Sequence, residues 1–191
     1  MVYEAGADPY CYPGTDVLRN LVDLRDADAL AAFEAAMVHE RSLQPLPTGR
    51  LSVSHYRAIH RHLFQDVYNW AGRYRTVRIA KGGSVFCYPE NIATQMTVLF
   101  LDLKGRDFFA EKSAEDFSRA AAGFLGGLNA IHPFREGNGR TQNAFLGILA
   151  ARAGHQVDFS RLDPDSFLRA MIESFAVGET RLADEILGLI E

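Results

Sequence analysis

At 191 residues the chain is long enough for one domain with a single buried core, and short for two. Hydrophobic residues at 48% and charged residues at 23% are ordinary for a globular protein in water. A formal net charge of −4 argues against a general nucleic-acid binder, which needs a basic face, but leaves room for a local basic pocket.

No internal repeat, low-complexity tract or long linker interrupts the chain, so residues 1–191 are expected to form one domain. The start, MVYEAGADPYCYPGTDVL, is polar and acidic, unlike a signal peptide, and no apolar run approaches the length of a membrane span. Cys11 and Cys87 lack metal-ligand and redox spacing. The expectation is a soluble cytoplasmic protein with reduced thiols, one disulfide being left open. Residues 1–25 mix prolines and glycines with aromatics, which suggests an ordered irregular arm. A first helix is expected from about Asp26, with Leu30, Phe33 and Met37 on one side, until QPLPTGR at 44–50 breaks it. Ser52 caps a second helix whose stripe is Tyr56, Ile59, Leu63 and Phe64.

The segment YRTVRIAKGGSVFCY, 74–88, breaks this rhythm. It is rich in Val, Ile, Phe and Tyr around Lys81-Gly82-Gly83-Ser84, which predicts a β-hairpin. Pro89 then opens a helix with Ile92, Met96, Leu99, Phe100 and Leu103 as its stripe and Gly105 as its stop. Ser113 and Asp116 form a capping pattern before Phe117, Ala121, Phe124, Leu125 and Leu128. A further helix is expected over 140–153, and another from Asp163-Pro164 with Phe167, Met171 and Phe175 in register. A last short helix follows Gly178, within 176–191. The fold is therefore expected to be mainly α with one hairpin. A lone hairpin cannot hold itself together, so it reads as a tool rather than a core element.

Between the fourth and fifth helices stands IHPFREGNGRTQNAF, 131–145, whose two close glycines weaken a helix start for no local benefit. A histidine, here His132, exchanges a proton near neutrality. Glu136 offers a hard oxygen suited to Mg²⁺ when substrate phosphates complete the shell. Gly137, Asn138 and Gly139 let backbone N–H groups converge into an anion nest at a helix start. Arg140 adds a planar cation matched to phosphate. Alone, each piece is commonplace: a His-Pro is usually structural, Gly-Asn-Gly usually a turn, and an arginine usually solvated. Together they point to phosphoryl or nucleotidyl transfer to a hydroxyl. A Walker A loop needs a longer glycine loop and a lysine, which are missing here. His39, His55, His60, His62 and His155 have no ligand spacing and read as surface or structural.

HPFREGNGR resembles the signature of Fic-domain proteins, HxFx[D/E]GNGR. The stretches DPYCYPGTDVLRN, HRHLFQDVYNWAGRYRTVRIAKGG and FCYPENI also resemble standalone bacterial Fic toxins and secreted Fic effectors, over about residues 8–175. The resemblance implies a Fic-type helical bundle with the hairpin as a flap beside the active site. It implies that His132 deprotonates a Tyr, Ser or Thr hydroxyl of a target protein for in-line attack on the α-phosphate of ATP. AMP is transferred and pyrophosphate leaves. Glu136 would hold Mg²⁺; Gly137, Asn138 and Gly139 would form the anion hole, with the Asn138 side chain at the α-phosphate. Arg140 would face the β-phosphate, Phe134 would anchor the core, and Lys81, Gly82, Gly83 and Ser84 would form the flap tip that pins the target by strand addition. Gly139 separates this chain from Doc-type relatives, which carry lysine there and phosphorylate.

The chain departs from the family at Asn143, where a second arginine is expected to meet the γ-phosphate. Loss of such a charge-assisted contact weakens binding by roughly 1.5–3 kcal/mol. The inhibitory pattern [S/T]xxxE[G/N] does not occur, so an inhibitory helix would come from a separate antitoxin. Three readings stay open: an AMP transferase acting as toxin or effector, a Fic enzyme with another donor or transferred group, and a weakly active nucleotide- or partner-binding module. For standalone toxins the resemblance suggests type II topoisomerase subunits as targets. It places the protein in the bacterial cytoplasm, or in a host cell after secretion.

Overall fold

The computed structural model describes residues 8–81 and 84–191. Helix α1 (Ala27–Ser42) starts where Asp26 accepts from the Ala29 amide at 2.9 Å. Its buried face is Leu30, Glu34 and Val38, while Phe33 and Met37 are only partly covered. The face is rotated from the expected one because a carboxylate occupies a core position. Helix α2 (Val53–Phe64) is capped by Ser52 and buries Tyr56, Ile59, Leu63 and Phe64 as expected. Helix α3 (Pro89–Gly105) buries Ile92, Met96, Phe100 and Leu103. Helix α4 (Ala114–Ile131), capped by Ser113, packs against α3, α5 (Asn138–Ala153), α6 (Pro164–Ala176) and α7 (Thr180–Leu189). On the other side α1 packs on α2, and α2 on α5. The last helix is thus shorter than the expected 176–191, and α5 starts two residues before the expected 140.

Two features have no counterpart in the sequence reading. A 3-10 turn, Asp107–Phe109, carries positive φ at Asp107 (48°), Phe108 (54°) and Phe109 (61°) without any glycine. Burial of Phe109 offsets that backbone strain. The arm also folds back on itself by a bridge between Cys11 and Leu18, and the Tyr10 ring meets Trp70 edge-on at 5.6 Å. Residues 1–7 of the expected arm lie outside the described residues. Cys11 and Cys87 are both free, and burial pushes both thiols up. No helix among the described residues is long and apolar enough to cross a membrane.

The core is aromatic where it meets the motif. Tyr56 of α2 stacks on Phe134 at 5.6 Å and meets Phe145 of α5 edge-on at 5.4 Å; Phe100 and Phe124 close the cluster from α3 and α4. Phe134 is fully buried, so the loop between α4 and α5 is pinned from within.

The hairpin is shorter than predicted. Strands β1 (Ala80–Lys81) and β2 (Ser84–Val85) pair antiparallel, with Ala80 opposite Val85 and Lys81 opposite Ser84. Gly82 and Gly83 lie outside the described residues. The rest of the described 74–88 segment is irregular, and one side chain claims two of its carbonyls. The buried Arg75 donates to Val77 O at 2.6 Å, Cys87 O at 2.6 Å, His132 O at 2.8 Å and Ile131 O at 3.2 Å. Its own amide donates to Pro133 O at 2.9 Å. The base of the flap and the end of α4 are therefore one hydrogen-bonded unit. Arg75→Leu should leave these carbonyls without their donor and lower unfolding stability by about 3–5 kcal/mol in chemical denaturation. Arg75→Lys should recover only part, because an ammonium cannot span the positions that a planar guanidinium reaches.

Candidate active site

Helix α4 ends on His132, which takes the left-handed conformation (φ 48°, ψ 64°) while its amide still bonds Leu128 O at 2.9 Å. The left-handed step turns the chain sharply, and Pro133 leads to the buried Phe134. Asn138 then closes the loop. Its Oδ1 accepts from the Phe134 amide at 3.0 Å and its Nδ2 donates to Phe134 O at 2.8 Å. The Asn138 side chain, almost fully buried, thus clamps the loop from the inside. Gly137 caps α5 at φ 80°, a conformation that favours glycine, and a Cβ there would lie 2.3 Å from the Phe64 ring. Gly139 instead faces open space, with no atom within 4 Å of where a Cβ would stand. The first-turn amides of α5 lack acceptors within the helix and point outward beside it.

These positions line a cleft of about 650 Å³, which brings together every motif position expected from the sequence, from His132 through Glu136 to Asn143. Arg78, Ile79, Ala80 and Phe86 reach it from the flap region, and the Phe86 ring stacks on the His132 imidazole at 4.0 Å. Lys81 and Ser84 are placed by their strand pairing alone. The opposite walls come from the arm at 12–16 and from Leu168, Met171 and Ile172 of α6. Neither wall was expected from the sequence to belong to the site. Leu168 and Ile172 are 50% and 55% exposed, an apolar surface suited to a flat ring system.

The charged groups are held in place. Glu136 Oε1 accepts from the Gly137 amide at 2.8 Å and from Arg140 Nη2 at 3.3 Å. Arg140 also pairs with Glu34 of α1 at 2.5 Å and lies over the Phe64 ring at 4.7 Å. Arg135 pairs with Asp8 of the arm at 2.9 Å. Among the described residues no cluster of His, Cys, Asp and Glu could hold a metal by itself. Glu136, half-exposed on the cleft, is the carboxylate that fits Mg²⁺ if ligand oxygens complete the shell.

The Fic/DOC family model matches residues 50–150, which carry α2, the flap, α3, α4 and most of α5. The chain belongs to the Fic/DOC family. This Fic chain is 50% identical to a probable protein adenylyltransferase, y4lH, of Sinorhizobium fredii, over 98% of both chains. It is 33% identical to the probable protein adenylyltransferase Fic of Escherichia coli K12, over 91% of this chain and 87% of that one. Among solved structures, the N-terminal Fic domain of the effector Bep8 from Bartonella sp. 1-1C superposes with a TM-score of 0.85 at 26% identity, covering 94% of this chain and 91% of that one.

His60, read from sequence only as surface or structural, supports the Fic motif from below. Its Nδ1 accepts from the Gly72 amide at 2.8 Å, so its Nε2 carries the proton and donates to Glu136 O at 3.0 Å. The ring is buried between Phe64 and Phe134, and burial pushes its pKa down to about 4. The unfolded chain, titrating near ~6.5, therefore binds a proton that the native state refuses. Stability present above that value is lost as pH falls toward 4, by up to about 3 kcal/mol. Denaturation midpoints measured from neutral pH downward should show a steeper decline for the wild type than for His60→Gln.

Proposed function

We propose that this chain is a protein adenylyltransferase, one domain that transfers AMP from ATP to a hydroxyl side chain of a protein target. The observation that carries the reading is the shared cleft: His132 and the N-terminal turn of α5 face one space large enough for a nucleotide. The adenylyltransferase names of relatives along nearly the whole chain support it.

The steps follow from the residues. Neutral His132 takes the proton of a target Tyr, Ser or Thr hydroxyl as its oxygen attacks the α-phosphorus. The bond to the bridging oxygen breaks and pyrophosphate leaves. The first-turn amides of α5, from Asn138 and Gly139 onward, receive the charge that develops on the α-phosphate oxygens. Gly139, with no side chain in that space, lets the phosphate approach the backbone. Arg140 meets the β-phosphate with the guanidinium edge that Glu34 leaves open. Glu136 would hold Mg²⁺, whose chemistry there is to neutralise charge on the α- and β-phosphates. Asn143, one turn beyond Arg140, offers the γ-phosphate hydrogen bonds without charge. The apolar α6 wall would take the base. The target segment would add to the flap as a strand near Lys81, Gly82, Gly83 and Ser84, with Phe86 holding the imidazole plane.

The partners in this reading are a hydroxyl-bearing protein, with a type II topoisomerase subunit as one candidate target, and a separate antitoxin bringing an inhibitory helix. It includes no membrane and no general nucleic-acid partner, as the net charge of −4 suits. The protein would act in the bacterial cytoplasm or after delivery to a host cell. The uncharged Asn143 on the cleft favours one second reading, a Fic enzyme with another nucleotide donor.

The test is a transfer assay with Mg²⁺, ATP labelled at the α-phosphate and bacterial lysate. Label transferred by the wild type should drop about a hundredfold or more in His132→Ala. Asn143→Arg should tighten ATP binding about tenfold. Transfer from GTP, CTP or UTP but not ATP would select the second reading. No label from any variant with any donor would overturn nucleotidyl transfer.

A further inference from the structure

Glu34 occupies the buried face of α1 between Leu30 and Val38, where an apolar residue would complete the stripe. A buried carboxylate is unfavourable unless its oxygens are satisfied, and here both are. One accepts from Arg140 Nη2 at 2.5 Å, the other from the Tyr68 hydroxyl. Among the described residues that line the cleft, Arg140 and Glu136 appear and Glu34 does not. Glu34 therefore faces the site only through Arg140.

The same Nη2 lies 3.3 Å from Glu136 Oε1. Arg140 is thus shared between two carboxylates, and among the described residues Glu136 alone would hold it without Glu34. Glu34 holds the guanidinium on the α1 side at 2.5 Å, closer than Glu136, while the Phe64 ring lies beneath it. Resting on the nucleotide reading above, we propose that Glu34 is a positioning residue that fixes Arg140 for the polyphosphate. An arginine immobilised before binding loses less freedom when it meets a phosphate.

The test is ATP binding by titration calorimetry on the full chain with Mg²⁺, in the Arg140 and Arg140→Ala backgrounds. Glu34→Leu, which suits the buried stripe, should weaken ATP about tenfold with Arg140 present and less than about twofold without it. Glu34→Gln, which keeps the oxygen acceptor, should restore most of the loss. Equal losses in both backgrounds would indicate a merely structural residue and overturn the proposal. Unchanged or tighter binding by Glu34→Leu would overturn it too, the latter making Glu34 a brake on the site. If Glu34→Leu does not fold, Tyr68→Phe decides. A loss of about threefold that vanishes with Arg140→Ala supports the proposal, and no loss overturns it. A wild type that binds no ATP refutes the nucleotide reading itself, a separate outcome from a wild type that binds while Glu34→Leu is unchanged.

Discussion

The geometry of the cleft depends on one buried guanidinium. Arg75 places its donors against carbonyls from two separate stretches, Val77 and Cys87 at the flap base and Ile131 and His132 at the end of α4. Strands of two residues are too short to order a hairpin by their own ladder. The flap is ordered at its root instead, by a planar group whose fixed fork sets the distance between chain segments. The segment expected to hold a target and the histidine expected to take its proton thus share a single support. A shift of one moves the other.

Around this support, both arginines of the motif are matched by carboxylates. Arg135 is paired with Asp8, and Arg140 is shared between Glu34 and Glu136. Asn143 adds no charge. What the loop offers an anion is direction: amides at the start of α5, aimed by the Gly137 cap and by the Asn138 clamp on Phe134. Such dipoles are set in place by folding and need no rearrangement when a ligand arrives.

Most helices were legible because their signals are local. Ser52, Ser113 and Asp163 cap where expected, Pro89 opens α3, and the apolar stripes of α2, α3 and α4 keep their period. The motif was legible for the same reason, being contiguous. What escaped lies in contacts distant along the chain. Glu34 meets Arg140 across 106 positions and His60 meets the Glu136 carbonyl across 76. A carboxylate in a helical stripe reads as a solvent position until its partner is known, so α1 was expected on the wrong face. Asn138 shows the opposite limit. Its residue type suits both a ligand contact and a loop clamp, and the clamp is recognised only where the buried Phe134 amide and carbonyl lie beside it. The left-handed turn at 107–109 carries no glycine to announce it.

The conformation of His132 carries an evolutionary consequence. A left-handed backbone costs a branched or bulky residue about 1 kcal/mol relative to glycine, and asparagine less. Position 132 therefore sets chemistry against stability. A lineage under no demand for a proton acceptor there would gain stability by drifting to glycine or asparagine, with the fold, the Asn138 clamp and the Arg75 root intact. An imidazole at this backbone angle carries a stability cost that glycine there would avoid and asparagine would reduce.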